Sequence, residues 1–316
     1  MKKNKITLIG GGQIGGNLAL LCAQKELGDV VIYDIPNAEG MIKGKALDIS
    51  QLCPLDGYDA SISGTSNPED IKNSDIIIIT AGIPRKPGMN REDLLEINIK
   101  IITDVANNVK KYAPNAFVIV LSNPLDAIVY SFYKVSGFSK NKVIGMAGVL
   151  DSTRFKAFLA METGYSVQDV NCMVLGGHGD TMVPMPNHTK VNGKLLKELI
   201  TKEKLDQIIN RTRKGGAEIV KFLEKGSAFY APAASGVEIA ESYIKNLKKT
   251  LPCAAYLNGE YGVKNLYAGV PVIIGESGVE KVVEISLTDI EKKQFEISAK
   301  AVEELYESAK KIDPSL

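Results

Sequence analysis

The chain reads as an α/β protein, a doubly wound parallel sheet followed by an α+β segment with an antiparallel sheet. Three observations predict this. Residues 6–34 run strand, glycine turn, helix, strand, acid. Residues 76–79, within the strand 75–80, and 117–121 are continuous apolar runs, as parallel strands covered on both faces require. After about residue 146, helix patterns and short strand-like runs broken by Asn-Gly and Glu-Ser-Gly turns replace the repeating βα units.

In order, Ile6-Thr7-Leu8-Ile9 is a buried strand, and Gly10-Gly11-Gly12-Gln13-Ile14-Gly15-Gly16 is a turn entering a helix from Asn17 to about Lys25. Val30-Val31-Ile32-Tyr33 is the second strand and ends on Asp34. Residues 59–63 and 75–80 form the next two strands. A loop rich in Gly, Pro and charge spans 81–91, and a long helix covers about 92–112. The strand at 117–121 leads through Ser122-Asn123-Pro124 to a helix at about 125–135, then to Val143-Ile144-Gly145. In the second half, 151–161 and 207–223 read as helical and 172–175 as a strand. Residues 254–285 hold two or three strands. Thr288 opens the last helix with a capping box to Glu291, and Ile290, Ile297, Leu305 and Ile312 recur at helical spacing. There is no internal repeat or low-complexity linker. The change of character near residue 146 divides the chain into domains at 1–146 and 147–316.

At 316 residues, with 45% hydrophobic and 24% charged side chains, the chain suits one large or two modest globular domains. A formal net charge of +1 gives no reason to expect nucleic acid or an anionic membrane as partner. Cys22, Cys53, Cys172 and Cys253 lie far apart without metal-ligand spacing, so no metal is expected, and Cys22 reads as a buried free thiol. Met1-Lys2-Lys3-Asn4-Lys5 is too short and polar for a signal peptide, and no apolar run approaches the roughly 20 residues of a membrane span. A cytoplasmic protein is the expectation.

The glycine turn carries the first functional reading. Gly10 allows a tight turn, Gly12 a close backbone approach to a pyrophosphate, and Gly15 close packing of helix on strand. The helix start beyond them offers free N–H groups and positive dipole to phosphates. Asp34 can accept from both ribose hydroxyls and would repel a 2′-phosphate, which favours NAD over NADP. A glycine-rich turn can also be purely structural, and a methyl-donor or flavin site shares this pattern.

His178 and His188 are the two histidines of the chain. His178 sits in Gly176-Gly177-His178-Gly179-Asp180, uncrowded and open to a ligand, and reads either as a proton donor and acceptor near neutral pH or as a satisfied structural histidine. His188 reads as a surface-loop residue. Asp151 and Arg154 stand three apart at a helix start. A carboxylate beside an imidazole fixes its tautomer, and a guanidinium can clamp a carboxylate; an intrahelical ion pair would have the same spacing. Arg85-Lys86-Pro87-Gly88-Met89-Asn90-Arg91 follows a strand end, where open α/β sheets bind ligands, and reads as a charged lid or as a solvated basic loop.

Together the glycine fingerprint, the Arg85–Arg91 loop, Ser122-Asn123-Pro124, Leu150-Asp151-Ser152-Thr153-Arg154 and Gly177-His178-Gly179-Asp180 resemble the lactate/malate dehydrogenase superfamily. The likeness is to malate enzymes of its lactate-dehydrogenase-like branch, over nearly the whole chain. The resemblance implies a Rossmann-type NAD domain with Gly10, Gly12, Gln13, Ile14, Gly15, Asp34 and Asn123 toward the cofactor. It implies His178 as acid/base oriented by Asp151, Arg154 on the C1 carboxylate and Arg91 polarising the reacting carbonyl. Asn123 would bond substrate near the nicotinamide. Arg85 occupies the position that selects the substrate, where lactate enzymes carry glutamine. Ala228 stands where they usually have threonine, leaving room for a second carboxylate. Ala147 departs from relatives that often place serine or threonine there. The implied activity is reversible hydride transfer between NADH and oxaloacetate giving L-malate, a tricarboxylic acid cycle reaction, in a homotetramer or homodimer. A lactate dehydrogenase of the same fold is the near alternative, and Arg85 opposes it. A binding protein that has lost catalysis is the distant one, and the intact polar residues oppose that.

Overall fold

Strands β1 (Lys5–Ile9), β2 (Asp29–Tyr33), β3 (Ile62–Thr65), β4 (Ile76–Ile79), β5 (Phe117–Val120) and β6 (Val143–Gly145) lie parallel in the order β3-β2-β1-β4-β5-β6. The computed structural model describes residues 3–84 and 91–316, with the backbone alone at Arg91. β1, β4 and β5 are apolar because helices cover both faces of the sheet: every residue of β4 and β5 is buried. Strand order reverses between β1 and β4. Connections leave this point in opposite directions, so a crevice opens beyond the carboxyl ends of these two strands.

Helices α1 (Gln13–Gln24), α2 (Glu39–Asp56), α3 (Arg91–Tyr112) and α4 (Leu125–Ser136) connect these strands. The turn helix starts at Gln13, four residues before the sequence expectation, because the glycines continue straight into helical backbone. Two helices were not anticipated. α2 contains Gly40, Gly44 and Pro54, and its exposed Met41, Leu47 and Leu55 blur the buried stripe of Ile42, Ala46 and Ile49. The other is α7 (Tyr230–Ile244), whose Pro232 sits in the first turn, where a missing N–H costs little.

The second half holds α5 (Gly148–Thr163), short strands β7 (Val170–Asn171), β8 (Val174–Leu175), β9 (Val183–Pro184), β10 (Lys190–Val191) and β11 (Lys194–Leu195), then α6 (Lys202–Leu223) and α7. β12 (Lys249–Asn258), β13 (Lys264–Gly275) and β14 (Gly278–Val282) are antiparallel, but they do not form a sheet of their own. β12 pairs with β6 through Ala254 and Gly145, which extends the parallel sheet to nine strands in the order β14-β13-β12-β6-β5-β4-β1-β2-β3. Pairing across this seam follows from burial. β12 and β13 carry apolar centres whose backbone groups need ladder partners away from water.

The closing helix α8 (Asp289–Ile312) has the expected capping box, with Thr288 and Glu291 exchanging hydrogen bonds. Of the four residues at helical spacing, Leu305 and Ile312 pack against the core. Ile290 and Ile297 are exposed, and Phe295, Ser298, Ala299, Val302, Tyr306 and Ala309 face the protein. Small and polar residues make up half of that stripe, where α8 packs closely on α3, α4 and β13 and Ser298 accepts from the Gly177 N–H.

Candidate functional site

The glycine turn lies at the reversal point of the sheet. Gly15 packs so closely that a Cβ there would stand 2.0 Å from the Gly10 carbonyl oxygen. Gly12 is different: a Cβ there would meet nothing within 4 Å. No protein contact requires its bareness, and what it leaves open is an approach to the first turn of α1, where Gly12 caps without a side-chain hydrogen bond. Free N–H groups at such a terminus suit a pyrophosphate. Asp34 directly follows β2 and accepts from the Gly11 N–H at 2.7 Å and from the Ile35 N–H at 2.8 Å. Its carboxylate is thus fixed against the glycine turn. Lys45, from the unanticipated α2, donates to the Gly11 and Gly12 carbonyls, both at 2.7 Å. Burial lowers the Lys45 ammonium below the usual lysine value, and the charge of Asp34 partly restores it. The residues fit a dinucleotide whose adenosine ribose meets a carboxylate.

The next strand end belongs to β5. Ser122 anchors to the Ala81 carbonyl at 2.6 Å, and the Asn123–Pro124 peptide is cis. Buried Asn98 of α3 accepts from the Ile83 N–H at 2.9 Å and donates to the Asn123 carbonyl at 2.8 Å, tying the β4 loop to the β5 loop. Asn123 itself is exposed.

His178 follows β8 on a loop whose successive N–H groups are held by three elements. Gly176 donates to the Gly269 carbonyl of β13 at 2.8 Å, Gly177 to Ser298 Oγ of α8 at 2.8 Å, and His178 to Asp126 Oδ2 of α4 at 2.9 Å. Its Nδ1 lies 2.8 Å from Asp151 Oδ2 on the first turn of α5. Asp151 is buried, with 2% exposure, and the imidazole keeps 17%. Burial disfavours the imidazolium, but the charge and hydrogen bond of Asp151, together with Asp126, raise the His178 pKa above the ordinary histidine value. Arg154 Nη1 stands 3.5 Å from Asp151 Oδ1, a loose pair that leaves the guanidinium free to bind elsewhere. Gly215 and Gly216 of α6 make room for it: a Cβ at Gly215 would fall 3.1 Å from Arg154 Cδ.

Sequence-predicted residues from two distant segments, 151–154 and 178, therefore meet. Arg85 lies outside the described residues, as does the side chain of Arg91. Ala228 lies in the connection between α6 and α7. Ala147 packs with Leu125 and Ala254 in a small apolar cluster, where a hydroxyl would lack an apolar fit. His188 is half-buried rather than a free surface residue, with Nε2 2.7 Å from the Ser286 carbonyl. Cys22 is a buried free thiol, and burial pushes its pKa up to about 12. No cluster of metal-binding side chains occurs among the described residues. Sequence reading missed Lys45, Asn98 and Asp126, since each acts on a partner at least 15 residues away.

Residues 4–145 match the family model described as lactate/malate dehydrogenase, NAD binding domain. Residues 148–312 match lactate/malate dehydrogenase, alpha/beta C-terminal domain. A malate dehydrogenase of Pelagibacter ubique (strain HTCC1062) is 61% identical over 318 residues, covering 99% of each chain. The crystal structure of Cryptosporidium parvum malate dehydrogenase is 49% identical with a TM-score of 0.95, over 98% of this chain and 100% of that one. A lactate dehydrogenase of the same organism, solved with lactic acid and nicotinamide adenine dinucleotide, is 46% identical with a TM-score of 0.94, over 98% of both chains.

Proposed function

We propose that this chain, which belongs to the lactate/malate dehydrogenase family, uses the His178–Asp151 pair and Arg154 as its reaction centre. It is an NAD-dependent oxidoreductase that interconverts L-malate and oxaloacetate. The 2.8 Å contact between His178 Nδ1 and Asp151 carries the assignment of roles. With Nδ1 engaged by the carboxylate, Nε2 is the ring atom left to exchange a proton with the oxygen on C2 of the substrate. Asp151 stabilises the imidazolium that gives up this proton during oxaloacetate reduction and forms again during malate oxidation. Arg154 clamps the C1 carboxylate, with Arg91 polarising the C2 carbonyl and Asn123 bonding substrate beside the nicotinamide ring. The bound dinucleotide supplies or accepts the hydride. Gly10, Gly12, Gln13, Ile14 and Gly15 hold its pyrophosphate, and Asp34 its adenosine ribose.

Oxidation of NADH with oxaloacetate, set against pyruvate, tests this reading. Preference for oxaloacetate is expected, and preference for pyruvate would replace it with a lactate dehydrogenase. The division at 1–146 and 147–316 places the dinucleotide on the first part and the acid/base residues on the second. We also assign the protein to the cytoplasm and to a homodimer or homotetramer, which sedimentation would check. No helix among the described residues is long and apolar enough to cross a membrane.

Asp34 should make NADPH a poor substitute for NADH. At contact distance a second negative charge costs ~1 kcal/mol in water and ~4 kcal/mol near a protein surface. A kcat/KM at least about tenfold lower is expected with NADPH. Asp34→Ser should narrow the gap. Equal values for both cofactors in the unmodified protein would contradict the assignment.

A further inference from the structure

Three carboxylate and guanidinium groups face His178 from α4 and α5: Asp126, Asp151 and Arg154. Two of them belong to the reaction centre described above. Asp126 does not, and its setting is unusual. It is a carboxylate with 2% exposure on the first turn of α4. Oδ2 accepts the backbone N–H of His178 at 2.9 Å. Oδ1 has no hydrogen-bond partner among the described residues, in a place where water does not reach it. An isolated buried carboxylate oxygen is costly and calls for a compensating interaction. The approach is also built in: Gly177 lacks the Cβ that would stand 3.3 Å from Asp126 Oδ2 and 2.7 Å from Val302 Cγ2.

We propose that Asp126 is a positioning residue for His178, fixing the backbone from which the imidazole projects and supplying a second carboxylate charge beside that of Asp151. The proposal rests on His178 being the acid/base. If only the backbone anchor mattered, an uncharged acceptor such as a serine hydroxyl would serve, as Ser298 does for the neighbouring Gly177 N–H. A buried carboxylate is a costly anchor unless its charge has a use, and the nearby imidazolium is the cation that gains from it. Tyr306 of α8 also faces Asp126, and its phenol is held neutral by burial, so it offers no competing charge. Burial, aided by the Asp151 charge, pushes the Asp126 pKa up to about 6, against the opposing effects of the His178 charge and of the His178 and Asp126 backbone N–H groups. The carboxylate is therefore ionised at neutral pH and takes its proton in mildly acid solution.

The test is Asp126→Asn, which keeps shape and one acceptor oxygen while removing the charge. His178 and His188 are the two histidines of the chain, so imidazole NMR resonances can be followed with His188 as an internal control. The His178 titration midpoint should fall by roughly one pH unit, the low end of what one nearby opposite charge produces. The pH limbs of kcat/KM for oxaloacetate and for malate should move to lower pH together. A purely structural role would lower both plateaus and leave the limbs where they are. Unmoved His178 resonances and limbs would overturn the proposal. Because the resonance measurement needs no turnover, it separates failure of this idea from failure of the acid/base assignment. Should Asp126→Asn not fold, Asp126→Ser is read in the same way, since it keeps an uncharged acceptor like that of Ser298: an unmoved His178 midpoint in that variant would overturn the proposal.

Discussion

His178→Asn should lose ~10²–10⁴-fold in turnover, the usual contribution of one general acid or base, while still binding NADH. That loss corresponds to about 3–5 kcal/mol of barrier. Asparagine can fill the space and form a hydrogen bond, but it cannot take up or release a proton near neutral pH. The substrate oxygen would then have to exchange with water. Binding should survive because the dinucleotide residues lie at the ends of β1 and β2, whereas His178 is held by β13, α8 and α4. NADH fluorescence titration and single-turnover kinetics read the two effects separately. Turnover equal to that of the unmodified protein would remove His178 from the mechanism. Asp151→Asn should be slowed as well, because the imidazolium loses the carboxylate 2.8 Å from Nδ1.

Local signals carried the sequence reading where one short stretch sufficed. The turn 10–16 with Asp34 announces itself, because strand, bare glycines, helix and acid all lie within about thirty residues. The continuous isoleucines of β4 announce a strand buried on both faces. What stayed hidden depended on partners distant in sequence. Nothing around Asp126 says that it supports a loop 52 residues later. Nothing around Ala254 says that β12 pairs with Gly145 and joins the parallel sheet. α2 and α7 were hidden by their glycines and prolines, whose low helix propensity is overridden by packing. Gly236 of α7 shows how: a Cβ there would lie 3.3 Å from both Leu18 of α1 and Leu121 after β5, so bareness serves close packing on these neighbours rather than a break in the helix. In α8 the residues at helical spacing divide: Leu305 and Ile312 pack against the core. Ile290 and Ile297 share a helical spacing in solvent, and the core takes Phe295, Val302 and Tyr306.

Arg85→Gln should change the oxaloacetate-to-pyruvate preference more than any other single substitution. The two substrates share a C1 carboxylate and a C2 carbonyl, so in the roles proposed for them Arg154, His178 and Arg91 would serve both alike. They differ where oxaloacetate carries a C4 carboxylate and pyruvate only hydrogen, and the discrimination must concentrate on the group that meets this end. The family resemblance gives that role to Arg85, where a lactate enzyme has glutamine. A charge-assisted hydrogen bond contributes ~1.5–3 kcal/mol, and a bidentate guanidinium–carboxylate pair more. At ~1.4 kcal/mol per tenfold, oxaloacetate should lose at least roughly a hundredfold in kcat/KM. Pyruvate should improve, because a guanidinium desolvated against a methyl group has no partner and opposes binding. The improvement should be partial, since Ala228 remains where lactate enzymes usually carry threonine. Arg91→Gln should behave differently in kind, slowing both substrates, because the polarised carbonyl is common to them. Measuring kcat/KM for both 2-oxo acids in the two variants separates these roles. An unchanged oxaloacetate-to-pyruvate ratio in Arg85→Gln would leave Arg85 as a solvated charge and move the selection of the dicarboxylate to another residue.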